Sequence, residues 1–201
     1  MKNMFSIALE HAERADTGVL ENPLVLMRYL RGLALGDSRW DAPLGDSAAR
    51  LASEFRCQLS LDAGSLCYLH CSSRRNAVDR MVDSLGGCLP VVLPAAEMAD
   101  VVNFFDEIPY LRNRAPMYIS GWSATDLLVY FEGYAIARYM AGFPVDYERQ
   151  ALHRMEVSLQ DRWTVPGRWD RLLEIMDGGR GRSVVLFCHE FNAVNNTSYF
   201  G

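Results

Sequence analysis

In SVVLFCHEF, residues 183–191, five apolar side chains follow one another before His189 and Glu190 interrupt them. A strand with one face in water alternates apolar and polar residues, whereas a strand covered on both faces is apolar nearly throughout. The stretch from Val184 to Phe191 therefore predicts a central strand of a sheet with cover on both of its faces.

Other short apolar stretches predict further strands of the same sheet. The predicted strands are 57–61, 66–71, 88–93, 117–120 and 183–191. The first two are separated by the turn residues Asp62 to Gly64, which is typical of a hairpin. Pro90 lacks an amide proton, so 88–93 is expected at a sheet edge.

Helical periodicity is clearer over most of the remaining chain. It predicts helices at 4–14, 23–35, 74–85, 95–108, 123–141, 146–163 and 168–177, and one that begins at Asp46 or Ser47. Asn22, Ser72 or Ser73, and Ser123 are suited to cap three of them. The glycine pair at 86–87 is suited to end another.

These elements together predict an α+β fold. We expect one domain over 1–201, with a mixed four- to five-stranded sheet flanked by helices and a helical block near the C-terminus. The turn-rich residues 36–45 are the only candidate boundary, and they would separate an N-terminal helical subdomain of residues 1–45.

Charge and cysteine content restrict the classes of function. The net charge of −5 argues against a nucleic-acid-binding protein, which needs a basic surface. The first 16 residues do not have the pattern of a signal peptide, and no apolar run approaches the length that crosses a membrane. Five cysteines are an odd number in a chain large enough for a hydrophobic core, which favours a reducing compartment. We therefore expect a cytoplasmic protein without a membrane partner.

The cationic side chains are nineteen arginines and one lysine, Lys2. This excludes a Schiff-base lysine or a phosphate-loop lysine from the rest of the chain. Codon usage in a GC-rich bacterial or phage genome explains the bias, and the alternative is selection against modifiable lysines in a protein that enters a foreign cell.

Metal and cofactor motifs are weak in this sequence. Cys67, His70 and Cys71 carry ligand atoms suited to zinc, but on a strand His70 would face away from both cysteines. No glycine-rich phosphate loop or dinucleotide fingerprint is present. We expect neither a metal nor a cofactor.

A thiol-dependent enzyme is the alternative function, either a small hydrolase or a translocated effector. Its nucleophile would be Cys88, with His189 as the base; Cys67 and His70 are the second choice for these roles. The adjacent carboxylates Asp106 and Glu107, in an aromatic setting, are a weaker acid–base candidate.

The leading interpretation is a non-enzymatic protein that binds another protein. Tyrosine, tryptophan and arginine are the residues that protein interfaces concentrate, and they are frequent between residues 118 and 169. The predicted contact residues are Trp122, Tyr130, Tyr134, Arg138 and Tyr147. Nearby acidic residues, namely Glu132, Asp146 and Glu148, favour a partner with a basic face. A toxin-neutralising immunity protein or an anti-defence inhibitor of bacterial or phage origin fits this interpretation.

Overall fold

The computed structural model describes residues 4–15, 17–89, 103–119, 122–143 and 145–200. Over these ranges the regular structure is helical and contains no strand. The α-helices are α1 (Met4–Arg14), α2 (Pro23–Gly36), α3 (Asp41–Glu54), α4 (Ala63–His70), α5 (Arg74–Cys88), α6 (Phe104–Glu107), α7 (Leu111–Ile119), α8 (Ala124–Met140), α9 (Asp146–Trp163), α10 (Trp169–Asp177) and α11 (Ser183–Asn195).

The prediction of an α+β fold with a sheet is therefore wrong. The stretch at 183–191 lies in α11, where Val184, Phe187, Cys188 and Phe191 are buried and His189 is exposed. Spacings of three and four residues put these four side chains on one helix face. The stretch resembles a strand in sequence because its partly buried positions, Val185 and Leu186, are apolar too.

The other predicted strands also differ from the structure. Residues 66–70 lie in α4, which Asp62 caps by accepting a hydrogen bond from the Ser65 amide at 2.8 Å. Residues 57–61 form no regular element. Residues 117–119 end α7, and residue 120 lies outside the described residues. Cys88 ends α5, and 90–93 lie outside the described residues, as do 95–102 of the predicted helix 95–108.

The predicted turn at 36–45 is largely helical. Gly36 ends α2, a single 3₁₀ turn covers Ser38–Trp40, and α3 begins at Asp41 rather than at Asp46 or Ser47. Pro43 is compatible with this start because the first turn of a helix does not use its amide protons.

By its contacts the chain forms two compact units. Unit 1 comprises Met1–Met98 and Val129–Gly142, and unit 2 comprises Ala99–Leu128 and Phe143–Gly201. Helix α8 contributes residues to both. The division into two units does not decide between one domain and two. The single domain over 1–201 therefore stays a prediction.

The core of unit 1 is organised around α2. Tyr29, Leu30, Leu33 and Trp40 are all at most 1% exposed. The Tyr29 hydroxyl donates to the Ala8 carbonyl oxygen at 2.8 Å and lies 3.2 Å from Nδ1 of His11, which ties α1 to α2.

Helices α2 and α8 cross in direct backbone contact within unit 1. A Cβ atom on Gly133 would lie only 3.0 Å from the Leu33 amide nitrogen, and one on Gly32 only 3.0 Å from the Tyr134 amide nitrogen. Gly36 faces the Tyr134 carbonyl oxygen in the same way, at 2.6 Å. The absence of side chains at these three positions is what allows the approach.

The core of unit 2 is aromatic. The Phe187 ring centroid lies 5.2 Å from that of Trp169 and 5.4 Å from that of Phe191. Phe105, from α6, packs on Phe191 at 4.3 Å, and Phe200 returns from the C-terminal residues to pack on Phe187 at 5.7 Å. Helix α11 therefore lies at the centre of unit 2 and not in a sheet, so the prediction of a central strand is wrong.

Candidate protein-binding surface

The five predicted contact residues are divided between the two units. In unit 1, Tyr130, Tyr134 and Arg138 are all buried, with 2–6% of their surface exposed. In unit 2, Trp122 is partly buried and Tyr147 is 47% exposed. Neither unit brings all five together, and only Trp122 and Tyr147 have substantial surface available to a partner. The binding role of the five residues stays a prediction.

The structure pairs Tyr147 with a residue that the sequence did not indicate. The Tyr147 hydroxyl lies 3.3 Å from that of Tyr199, which follows the end of α11. Asn103 donates from Nδ2 to the Tyr199 hydroxyl at 3.3 Å, and its Oδ1 accepts from the Phe105 amide at 2.9 Å. We call Tyr147, Tyr199 and Asn103, together with the neighbouring Asp106, the tyrosine surface.

The tyrosine surface is anchored to the aromatic core of unit 2. The Tyr199 ring packs 5.8 Å from Phe105 and 6.4 Å from Phe191. Glu148, next to Tyr147 and 6% exposed, accepts a hydrogen bond from the Phe104 amide at 3.3 Å. These contacts fix the two elements that carry the tyrosines, so the hydroxyl pair is held before a partner arrives.

Two carboxylates, those of Asp106 and Glu148, act electrostatically on the Tyr199 hydroxyl. The hydrogen bond to Tyr147 raises the pKa of Tyr199 to about 12, and burial and the negative charges of Asp106 and Glu148 act in the same direction. The Tyr199 hydroxyl is therefore protonated at neutral pH. Asp106 is exposed, as is Asp146 at the start of α9, whereas Arg149 is the cation in that turn of the helix. A partner would meet polar aromatic groups beside negative charge.

The cysteine and histidine of the alternative enzyme do not form a site within either unit. Cys88 belongs to unit 1 and His189 to unit 2. Cys88 is the last residue of α5, where the carbonyl end of the helix carries partial negative charge. Activated thiols are found in the opposite, electropositive setting. Oε1 of the adjacent Glu190 lies 4.0 Å from Nδ1 of His189, too far for a hydrogen bond.

The other two candidate cysteines, Cys67 and Cys71, pack in or against the hydrophobic core of unit 1. Burial raises the pKa of the Cys67 thiol to about 12, with a smaller contribution from Cys71. The His70 ring stacks on Phe55, with ring centroids 4.8 Å apart. In the part of the chain that the structure describes, no group of three or more histidine, cysteine or acidic side chains is placed to hold a metal ion. Asp106 and Glu107 are both exposed, which removes the desolvation that an acid–base role required.

None of the helices in the described ranges combines the length and the apolar character needed to cross a bilayer. Comparison with protein families, with curated proteins and with solved structures finds no match to this chain. The tyrosine surface therefore rests on the geometry of this chain alone.

Tyr199 could have been noticed in the sequence. Tyr199 and Phe200 are two adjacent aromatic residues at the end of a polar stretch, 192–198, and an aromatic pair in such a stretch indicates that the chain returns to a core. Its pairing with Tyr147, 52 residues earlier, is a tertiary contact with no local signal.

Proposed function

We propose that this protein is a cytosolic, non-enzymatic binding protein that docks through the tyrosine surface of unit 2 onto a basic face of another protein. The observation that carries the proposal is the exposed Tyr147 ring, whose hydroxyl lies 3.3 Å from that of Tyr199, on which the carboxylates of Asp106 and Glu148 act. Tyrosine, an aromatic side chain with a polar tip, is enriched among interface hot spots.

The chemistry of the surface favours a protein partner with arginine or lysine side chains. Asp106 and Asp146 are exposed and attract cations, and the tyrosine rings offer faces on which a guanidinium group can stack. An immunity protein that neutralises a toxin, or an inhibitor of a defence protein, in a bacterium or a phage would use such a surface. The product of the neighbouring gene is the first partner to test.

The test compares Tyr147→Ala with Tyr139→Ala in quantitative binding to that partner. Tyr139 is a matched control because it is 74% exposed and belongs to unit 1. Loss of a hot-spot aromatic weakens binding by about 2 kcal/mol or more, which is roughly 30-fold in Kd. We expect this loss for Tyr147→Ala and no change for Tyr139→Ala, with melting temperatures near that of the wild type for both.

Salt provides the second measurement. If the partner presents a basic face, the association rate falls steeply as the salt concentration rises. Equal binding by the two alanine variants would refute the tyrosine surface, and a salt-independent association rate would refute the basic partner.

A further inference from the structure

A cavity of about 290 Å³ lies in unit 2 between α7, α11 and the residues that follow α11. Its wall includes Arg112 from α7, Cys188, His189 and Asn192 from α11, and Thr197 and Phe200 from the C-terminal residues. This volume is at the lower end of the range for small-molecule sites.

The formal charge on the cavity wall is positive. Arg112 is exposed, and within the described ranges no carboxylate lies at ion-pair distance from its guanidinium group. The carboxylate nearest to His189, on Glu190, is bound to the Arg162 guanidinium at 2.9 Å. Among the residues that the structure describes, no acidic side chain lines the cavity. The wall thus offers the donors of Arg112 together with the largely exposed ring of His189.

The rest of the wall is neutral and fixed. Asn192 donates from Nδ2 to the Phe200 carbonyl oxygen at 2.9 Å, and its Oδ1 accepts from the Thr197 hydroxyl at 3.2 Å. These bonds use the polar groups of Asn192 and Thr197 within the protein. Burial raises the pKa of the Cys188 thiol to about 12, although the nearby Arg112 acts in the opposite direction, so the thiol is protonated at neutral pH.

We propose that this cavity binds a small organic anion, with its carboxylate on Arg112 and His189 and its apolar part against Phe200 and Cys188. A guanidinium group binds a carboxylate through two parallel hydrogen bonds, which sets the orientation of the ligand. The neutral remainder of the wall suits an apolar body the size of one aromatic ring. The cavity wall and the tyrosine surface share no residue, although the Tyr199 and Phe200 ring centroids lie 6.4 Å apart.

The experiment measures the binding of benzoate, acetate and benzyl alcohol to the full chain. Each compound is titrated into isotope-labelled protein, and the backbone amide chemical shifts are followed by NMR. Benzoate has both the carboxylate and the ring, whereas each of the other two compounds lacks one. We expect saturable binding of benzoate, with shifts confined to α7, α11 and 197–200, and at least tenfold weaker binding of acetate and benzyl alcohol.

Three variants distinguish binding in the cavity from non-specific binding of benzoate to exposed arginines. Arg112→Gln is expected to weaken benzoate binding at least tenfold, and Arg114→Gln, an exposed arginine on the same helix over the Tyr110 ring, is expected to leave it unchanged. Ala193→Leu places a larger side chain at an exposed position of the cavity wall and is expected to weaken binding without unfolding the protein. The proposal is overturned if benzoate shows no saturable binding up to about 10 mM, or if Arg112→Gln and Arg114→Gln have the same effect.

Discussion

Replacing Gly133 with alanine would test the closest helix crossing in unit 1. A Cβ atom at this position would lie 3.0 Å from both the Leu33 amide nitrogen and the Tyr29 carbonyl carbon, and nearer still to the Tyr29 carbonyl oxygen. The obstructing atoms are backbone, so no side-chain rotation relieves the overlap. Helices α2 and α8 would have to separate by about 1 Å, and a gap of this size forfeits a quarter to a half of the van der Waals attraction across it.

The magnitude follows from the residues along the crossing. Leu30, Leu33 and Tyr134 are at most 2% exposed, so the lost contacts are not replaced by water. Overpacking a closed core destabilises by up to about 3 kcal/mol, and alanine recovers about 1 kcal/mol through its higher helix propensity. We therefore expect Gly133→Ala to lower the free energy of unfolding by up to about 2 kcal/mol.

Gly45 supplies the matched control. It lies in α3, is exposed, and a Cβ atom there would meet no atom within 4 Å. Gly45→Ala should therefore raise the free energy of unfolding by about 0.5–1 kcal/mol, because alanine loses less backbone entropy on folding. The assay is urea unfolding followed by helical circular dichroism. If Gly133→Ala proves as stable as Gly45→Ala, the helices do not cross in backbone contact.

Three further predictions concern unit 2 and the buried thiols. Tyr147→Phe removes the hydrogen bond to Tyr199, so the pKa of Tyr199 should fall from about 12 towards 10, measured by phenolate absorbance; an unchanged titration would mean that the hydroxyls are not paired. The thiols of Cys67 and Cys188 have folded pKa values of about 12 against 9.0 for an ordinary thiol, so their protonated forms favour the folded state. The stability they confer should be complete below pH 9 and fall between pH 9 and 12, by at most about 1.4 kcal/mol per pH unit for each thiol, because only the unfolded chain loses its proton there. Urea midpoints across this range check the slope, and Cys188→Ala should reduce it. Phe187→Ala should lower the free energy of unfolding by about 3–5 kcal/mol, since the ring is fully buried at the centre of the aromatic core; a loss below about 1 kcal/mol in urea unfolding would contradict that position.

Helix positions could be predicted wherever capping residues and periodicity agreed. The predicted helix 146–163 matches α9, and 23–35 matches α2 to within one residue at its end. The Asn22 cap is confirmed, since its Oδ1 accepts a hydrogen bond from the Leu24 amide at 2.9 Å. Such signals are local, so a single sequence carries them.

The strand predictions failed where apolar side chains also occupy the exposed positions of a helix. Leu69 and Tyr68 on α4 are 63% and 47% exposed, so the stretch around them shows no polar face. Without a polar face, a short apolar stretch fits a buried strand and a helix equally well. The continuation of 183–191 to Asn195 is what distinguishes the two, because thirteen residues are long for a strand and ordinary for a helix.

The candidate site could be predicted only in part. Tyr147 was identified from the frequency of aromatic residues, but the same criterion selected Tyr130 and Tyr134, which are buried. Gly133, inside the helix that carries both tyrosines, indicates in the sequence that this part of the helix packs closely on another element. Glycine inside a long helix is destabilising unless another backbone approaches it, and the tyrosines beside it are then drawn into the core.

The division of unit 1 along the chain affects how the nascent protein folds. Gly32 leaves the ribosome about a hundred residues before Gly133, which at ordinary elongation rates is a delay of about 5–20 s. During this time the face of α2 around Tyr29 and Leu33 has no partner from α8 and exposes apolar surface. Unit 1 therefore cannot complete its core as its first 98 residues emerge, and the order of synthesis exposes it to aggregation or to chaperone binding until α8 is made.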